Sequence, residues 1–195
     1  MRFIGRLGGW GRGIGIELVR WVKRGQVNPL THREEAVRTL HKILKDERLL
    51  GGTGFIKGKH KCVCFSEAPI SKLSQIFAVR ENRDFKCQPY GIIVGKKWLF
   101  GHGGRPVIYG PSNDYKLLPD EMKYRHVRFY LSKRYDVDHS WGREWRIKTD
   151  GLQITTEDVT VVVPDRVAKE VFQSSRHDKW HYIALSDLGV KINRI

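Results

Sequence analysis

The chain predicts an α+β domain with a mostly antiparallel sheet and a few flanking helices. Short runs of strand composition recur along its whole length, while helical periodicity is confined to a few, mostly early, stretches. A length of 195 residues suits one sizeable core and is short for two. Apolar residues at 40% and charged residues at 29% place the chain with globular proteins, not disordered ones. The expected division is a flexible, basic, Gly-rich arm over 1–15 and a single domain over 16–195.

In the arm, Gly5, Gly8, Gly9, Gly11, Gly13 and Gly15 do not follow the dinucleotide-binding G-x-G-x-x-G spacing, and they lead into a strand instead of following one. Arg12 and its neighbours are placed to meet a phosphate backbone. From Ile16 to Val22 the alternation reads as a strand. Either Ile16, Leu18, Arg20 and Val22 share one face, or Val19 and Trp21 are buried and Arg20 is solvated.

Thr31-His-Arg-Glu34 reads as a capping box opening a helix whose apolar stripe is Val37, Leu40, Ile43 and Leu44, with an end near Gly51-Gly52. Cys62 to Phe65 is a short buried strand, followed by a helix with Ile70, Leu73, Ile76 and Phe77 inward. Further strands are expected at Tyr90–Val94, Arg105–Tyr109, Arg125–Leu131, Arg143–Lys148 and Val159–Val163, the last closed by Pro164. A helix at Val167–Gln173 and a strand within Ile183–Ile192 complete the pattern.

Lys and Arg number 36 against 21 Asp and Glu, a net +15. Repulsion on that scale opposes compactness and points to a polyanionic partner, with nucleic acid foremost. No apolar run is long enough to span a membrane, and the N-terminus lacks the apolar core of a signal peptide. The three cysteines include no C-x-x-C pair; Cys62 and Cys64 fit small buried hydrophobes better than metal ligands. A reducing, cytoplasmic setting follows as the expectation.

Trp141-Gly-Arg-Glu-Trp-Arg146 is the most pointed constellation. On a strand, Glu144 and Arg146 share a face while Arg143 and Trp145 point the other way. Glu144 reads either as a functional carboxylate kept ionised by its cations or as half of an ion pair. Phe65-Ser-Glu-Ala-Pro69 leaves a strand where ligands often meet a sheet, and turn chemistry explains it equally. Lys57 and Lys59 lie in a basic loop. In the segment Met122–Tyr135, Lys123, Arg125, Arg128 and Tyr130 interleave cations with rings, as a platform for single strands or as a strand with one basic and one packed face.

Taken together, Glu17-Leu-Val-Arg-Trp-Val22, Thr39-Leu-His-Lys-Ile-Leu44, Cys64-Phe-Ser-Glu-Ala-Pro69, Arg105-Pro-Val-Ile-Tyr109 and Arg143-Glu-Trp-Arg146 resemble small abortive-infection proteins. Through them the chain is similar to the DarT-like ADP-ribosyltransferases and the related mRNA-modifying toxin CmdT. The resemblance implies an ADP-ribosyltransferase-like split, bent, mostly antiparallel sheet holding NAD in a central cleft, and a toxin of phage defence with a possible antitoxin partner. It implies Glu144 as the catalytic residue, with Arg20, Trp21, Thr39, Phe65, Ser66 and Arg105 about the NAD. Where the DarT pattern has His then Thr on the first strand, this chain has Arg20 and Val22, and Thr39 stands where that pattern has Asn. The rival expectations are a non-catalytic nucleic-acid-binding protein and a nuclease-like toxin.

Overall fold

The computed structural model describes residues 17–23, 29–54, 56–68 and 87–190. The basic arm with Arg12 and the helix expected around Ile70–Phe77 lie outside the described residues.

Strand β1 (Glu17–Lys23) is followed by helix α1 (Pro29–Asp46). The helix begins before the expected capping box. Pro29 suits a first turn, where its missing N–H has no intrahelical partner to lose. It also ends earlier than Gly51-Gly52, because Glu47 takes a left-handed φ of 49° and the chain continues as β2 (Arg48–Leu50). Leu49 is thereby buried and pairs with Leu152 of a later strand, a tertiary contact that overrides helical propensity.

Strands β3 (Cys62–Ser66) and β4 (Cys87–Gly95) lead into a short helix α2 (Lys96–Gly101), absent from the sequence reading because no side chain caps it. The strand expected over Arg105–Tyr109 is two strands, β5 (Arg105–Pro106) and β6 (Ile108–Gly110), since each pairs with a different partner. Only β7 (His126–Arg128) survives of the expected Arg125–Leu131 strand, after a 3-10 turn over Lys123–Arg125. Then come β8 (Glu144–Lys148), β9 (Gly151–Gln153), β10 (Val159–Val163), α3 (Arg166–Phe172) and β11 (His181–Ala184). The Asp165 carboxylate caps α3 by accepting from Ala168 N at 2.8 Å. The last strand stops at Ala184, short of the expected Ile192, and a 3-10 turn follows.

Seven strands form one sheet in the order β11-β10-β4-β1-β3-β8-β5, in which every pairing is antiparallel except β10 with β11. β1 pairs with β4 along most of its length, but it meets β3 in register only at Val19 and Ser66. Among the described residues the sheet is thus two halves joined at one residue pair.

Strand alternation decides which face is core. Phe65 pairs with Trp145 and Val63 with Ile147, while Ile92 pairs with Val161 and Val94 with Val159; all eight are buried. Leu40 and Leu44 of α1 and Phe172 of α3 close that face. Each such side chain contributes roughly 1.5–3 kcal/mol relative to exposure. On the other face of β3 and β8, Cys62 packs with Ile56 and Tyr124. Among the described residues, no helix is long and apolar enough to cross a membrane.

Candidate functional site

The start of β8 lies where the two halves of the sheet join. Val19 pairs with Ser66, and Ser66 pairs with Glu144, so a cross-strand row runs from β1 through β3 to the first residue of β8. The Glu144 side chain keeps 29% of its surface exposed, whereas its partner Arg146 keeps 4%. Arg146 Nε donates to Glu144 Oε1 at 2.8 Å, and its Nη1 donates to the carbonyls of Tyr124 (2.7 Å) and His126 (3.2 Å). Burial acts against the Arg146 charge, but the bond and charge of Glu144 outweigh it and raise the guanidinium above its ordinary value. One carboxylate oxygen is held, and the other, Oε2, has no partner among the described residues.

The backbone of Glu144 is equally constrained. Its N–H donates to the Tyr109 hydroxyl at 3.2 Å, which in turn donates to His139 O at 3.3 Å. Its carbonyl accepts from Val107 N at 3.0 Å. Burial pushes the Tyr109 hydroxyl above its ordinary value, so it remains protonated and able to donate.

Arg143 departs from the expected strand geometry. It adopts a left-handed conformation (φ 42°, ψ 56°) before β8 begins, so it does not flank Glu144 across a pleat. Its guanidinium reaches Glu67 instead, with Nη2 donating to Oε1 at 3.4 Å.

Glu67 belongs to the Phe65–Pro69 segment, for which the sequence leaves a ligand-facing strand exit and turn chemistry both open, and the structure makes it a buried anchor. Its side chain is 6% exposed; Oε1 also accepts from Lys96 Nζ at 2.8 Å, and Oε2 accepts from Trp145 Nε1 at 3.1 Å. Burial works to raise its pKa, but the bonds from Lys96 and Trp145 and the charges of Lys96 and Arg143 prevail and hold it below the ordinary value. One sequence signal could have marked it as buried. Glu67 continues the parity of Val63 and Phe65, and a carboxylate on the core side of a strand must be paired.

The other expected site residues disperse. Arg20 stands in register with Ile92, in the row next to that of Val19 and Ser66, and the side chains of Arg20 and Trp21 lie outside the described part. Thr39 is on the exposed side of α1 and Phe65 is in the core. The Ser66 hydroxyl donates to Gly142 O at 2.6 Å and accepts from Ala68 N at 3.2 Å. Arg105 stacks on Phe100 with its guanidinium carbon 3.9 Å from the ring centroid, and it donates to the carbonyl of Phe100, in the last turn of α2, and to that of Gly104 beyond it. Of the expected NAD-site side chains that are described, only Ser66 adjoins Glu144.

The basic residues form two ring-centred groups. Lys57 Nζ lies 4.5 Å and Lys123 Nζ 5.7 Å from the Tyr115 centroid. Lys57 also donates to Ser112 O, and Lys123 pairs with Asp120. Arg128 donates to the Tyr135 hydroxyl, and the Tyr130 and Tyr135 ring centroids are 5.5 Å apart. Tyr130 is 41% and Tyr135 55% exposed, enough for a planar ligand to stack on either. Arg125 is committed to Pro106 O, and Lys59 is exposed with φ 55°. Among the described residues, no group of three His, Cys, Asp or Glu could hold a metal ion.

No protein-family model, curated protein or solved structure matches the chain.

Proposed function

We propose that this chain is an NAD-dependent ADP-ribosyltransferase that modifies a base of RNA or single-stranded DNA. In this reading it is a toxin or phage-defence effector of the cytoplasm, with an antitoxin as a further partner. The observation that carries the reading is Glu144: a half-open carboxylate at the junction of the two half-sheets, one oxygen fixed by a buried arginine and the other without a partner among the described residues. A split, largely antiparallel sheet is compatible with an ADP-ribosyltransferase-like fold, and the resemblance in sequence supplies the rest.

The described residues fit NAD in part. Glu144 suits the ribose that carries nicotinamide, whereas Ser66 and Arg105 are already bonded within the protein. Arg20 stays the candidate for the pyrophosphate end through its charge and its place on β1. In the transfer, the bond between ribose C1′ and nicotinamide breaks with its electron pair leaving on nicotinamide, and a base nitrogen bonds C1′ and gives up its proton. The positive charge that builds on the ribose is of the oxocarbenium kind. Glu144 Oε2 stabilises it, and Arg146, bonded to Oε1, stops the carboxylate turning. The Lys57–Tyr115–Lys123 and Arg128–Tyr130–Tyr135 groups would hold the acceptor strand by charge and stacking.

The test is incubation with labelled NAD and, separately, single-stranded RNA, single-stranded DNA and lysate. Label on one nucleic acid, falling about 10³-fold in Glu144→Gln, is the expected result. Label on lysate protein alone would retain the enzyme and remove the nucleic-acid acceptor. The second reading, a non-catalytic nucleic-acid-binding protein, rests on the 2.8 Å pair with Arg146, which accounts for Glu144 without chemistry. Salt-sensitive binding with no label anywhere would select it.

A further inference from the structure

Four hydrogen bonds tie the exit of β3 to the entry of β8. Ser66 Oγ donates to Gly142 O, Glu67 N donates to Arg143 O at 3.2 Å, Arg143 Nη2 donates to Glu67 Oε1, and Trp145 Nε1 donates to Glu67 Oε2. Three of the four involve Glu67, and they grip the residues on both sides of Glu144. Arg143, the gripped residue just before Glu144, is a non-glycine in the left-handed region. Such a conformation costs of order 1–3 kcal/mol and persists only where its surroundings over-determine it. Lys96, at the start of α2, supplies the charge that lets the Glu67 carboxylate sit buried at this corner.

We infer that Glu67 is a positioning residue: it holds the Arg143 corner in its left-handed form and thereby sets the direction in which Glu144 enters the sheet. This inference rests on the reading of Glu144 as the catalytic carboxylate. Glu67 itself, 6% exposed and bonded through both oxygens, does not touch substrate.

The experiment compares wild type, Glu67→Gln, Arg143→Gly and the double variant in NAD turnover, together with amide hydrogen exchange at Glu67, Val107 and Glu144. Glu67→Gln should lower kcat about 10- to 100-fold with KM for NAD little changed, because misplacement of a transition-state group by about 1 Å carries a penalty of that size. In the double variant the loss should be largely restored, since glycine adopts the left-handed form without strain. A purely structural role for Glu67 predicts no such rescue, and its absence overturns the inference. Exchange at the Glu144 and Val107 amides should quicken in Glu67→Gln by more than the change in global stability accounts for; exchange that follows global stability alone would also overturn it. If wild type turns over no NAD with any acceptor, the functional reading fails, and the exchange result alone decides the role of Glu67. Should Glu67→Gln fail to fold, Trp145→Phe removes one donor to the carboxylate, keeps a ring in the core, and should show the same effects at smaller size.

Discussion

Two glutamates stand at the two ends of one corner, and their surroundings differ in kind. Glu67 is buried, has both oxygens occupied, and is ringed by Lys96, Arg143 and Trp145. Glu144 is half-open, with a single charged partner on one oxygen. The first arrangement suits a group that must not move. The second suits one that must meet something else. The lesson is that a strongly satisfied carboxylate is the weaker candidate for chemistry, even where it is the more conspicuous feature of the structure.

The sharpest way to break this contrast is through Arg146. Arg146→Met strips the donor from the carbonyls of Tyr124 and His126 and should cost about 2–4 kcal/mol in urea unfolding, from groups left unpaired in the interior. Glu144→Gln keeps an oxygen to accept from Arg146 Nε and should cost about 1 kcal/mol or less. Equal losses in the two variants would make Glu144 a structural partner and erase its difference from Glu67.

Acid separates the pair further. Because the folded-state pKa of Glu67 is depressed, its stabilisation is complete above the ordinary value of about 4.5 and is lost as pH falls below it through the folded value. Glu67→Gln should flatten that limb of a stability-against-pH curve. An earlier limb belongs elsewhere. His41 stacks on Phe172 at 4.2 Å and lies 5.0 Å from His177, and burial lowers the pKa of both from about 6.5. For His177, the charges of His41 and Lys179 add to that lowering. The folded state favours neutral rings, so stability should decline as pH falls through about 6.5, and Glu67→Gln should leave that decline in place. Loss of the limb near 6.5 in Glu67→Gln would show that the two regions are coupled.

The smallest effect concerns how Glu144 is seated. Tyr109→Phe removes the hydroxyl that accepts from Glu144 N and should cost about 1 kcal/mol, read from the shift of the urea midpoint. A fall in transfer beyond that stability change would sharpen the view that the backbone of Glu144 is held for function.

What could be read in advance followed short periods. The strand of Cys62–Ser66 and the buried run Val159–Val163 before Pro164 were legible because composition and alternation are local properties. The shared face of Glu144 and Arg146 followed from a period of two, and their 2.8 Å bond agrees with it. The partners of Glu67 stayed hidden because Lys96 lies 29 residues away and Trp145 78. The left-handed Arg143 broke the pleat one residue before the strand, a conformation that residue type does not announce. The early end of α1 reflects Leu49, whose partner Leu152 comes a hundred residues later.

The place of β1 also bears on how the chain reaches its native state. Among the described residues β1 is the only strand that connects β11-β10-β4 with β3-β8-β5, although it precedes all of them in the chain. A strand that precedes its neighbours cannot complete its pairings until β4, which ends at Gly95, has been made. Its pairings close long loops, which slows assembly and leaves its edges unpaired in the meantime. Folding should therefore be limited by the seating of Glu17–Lys23 between the two three-stranded pieces, and a chain lacking those residues should lose the strand pairing that joins them and keep only their side-chain contacts.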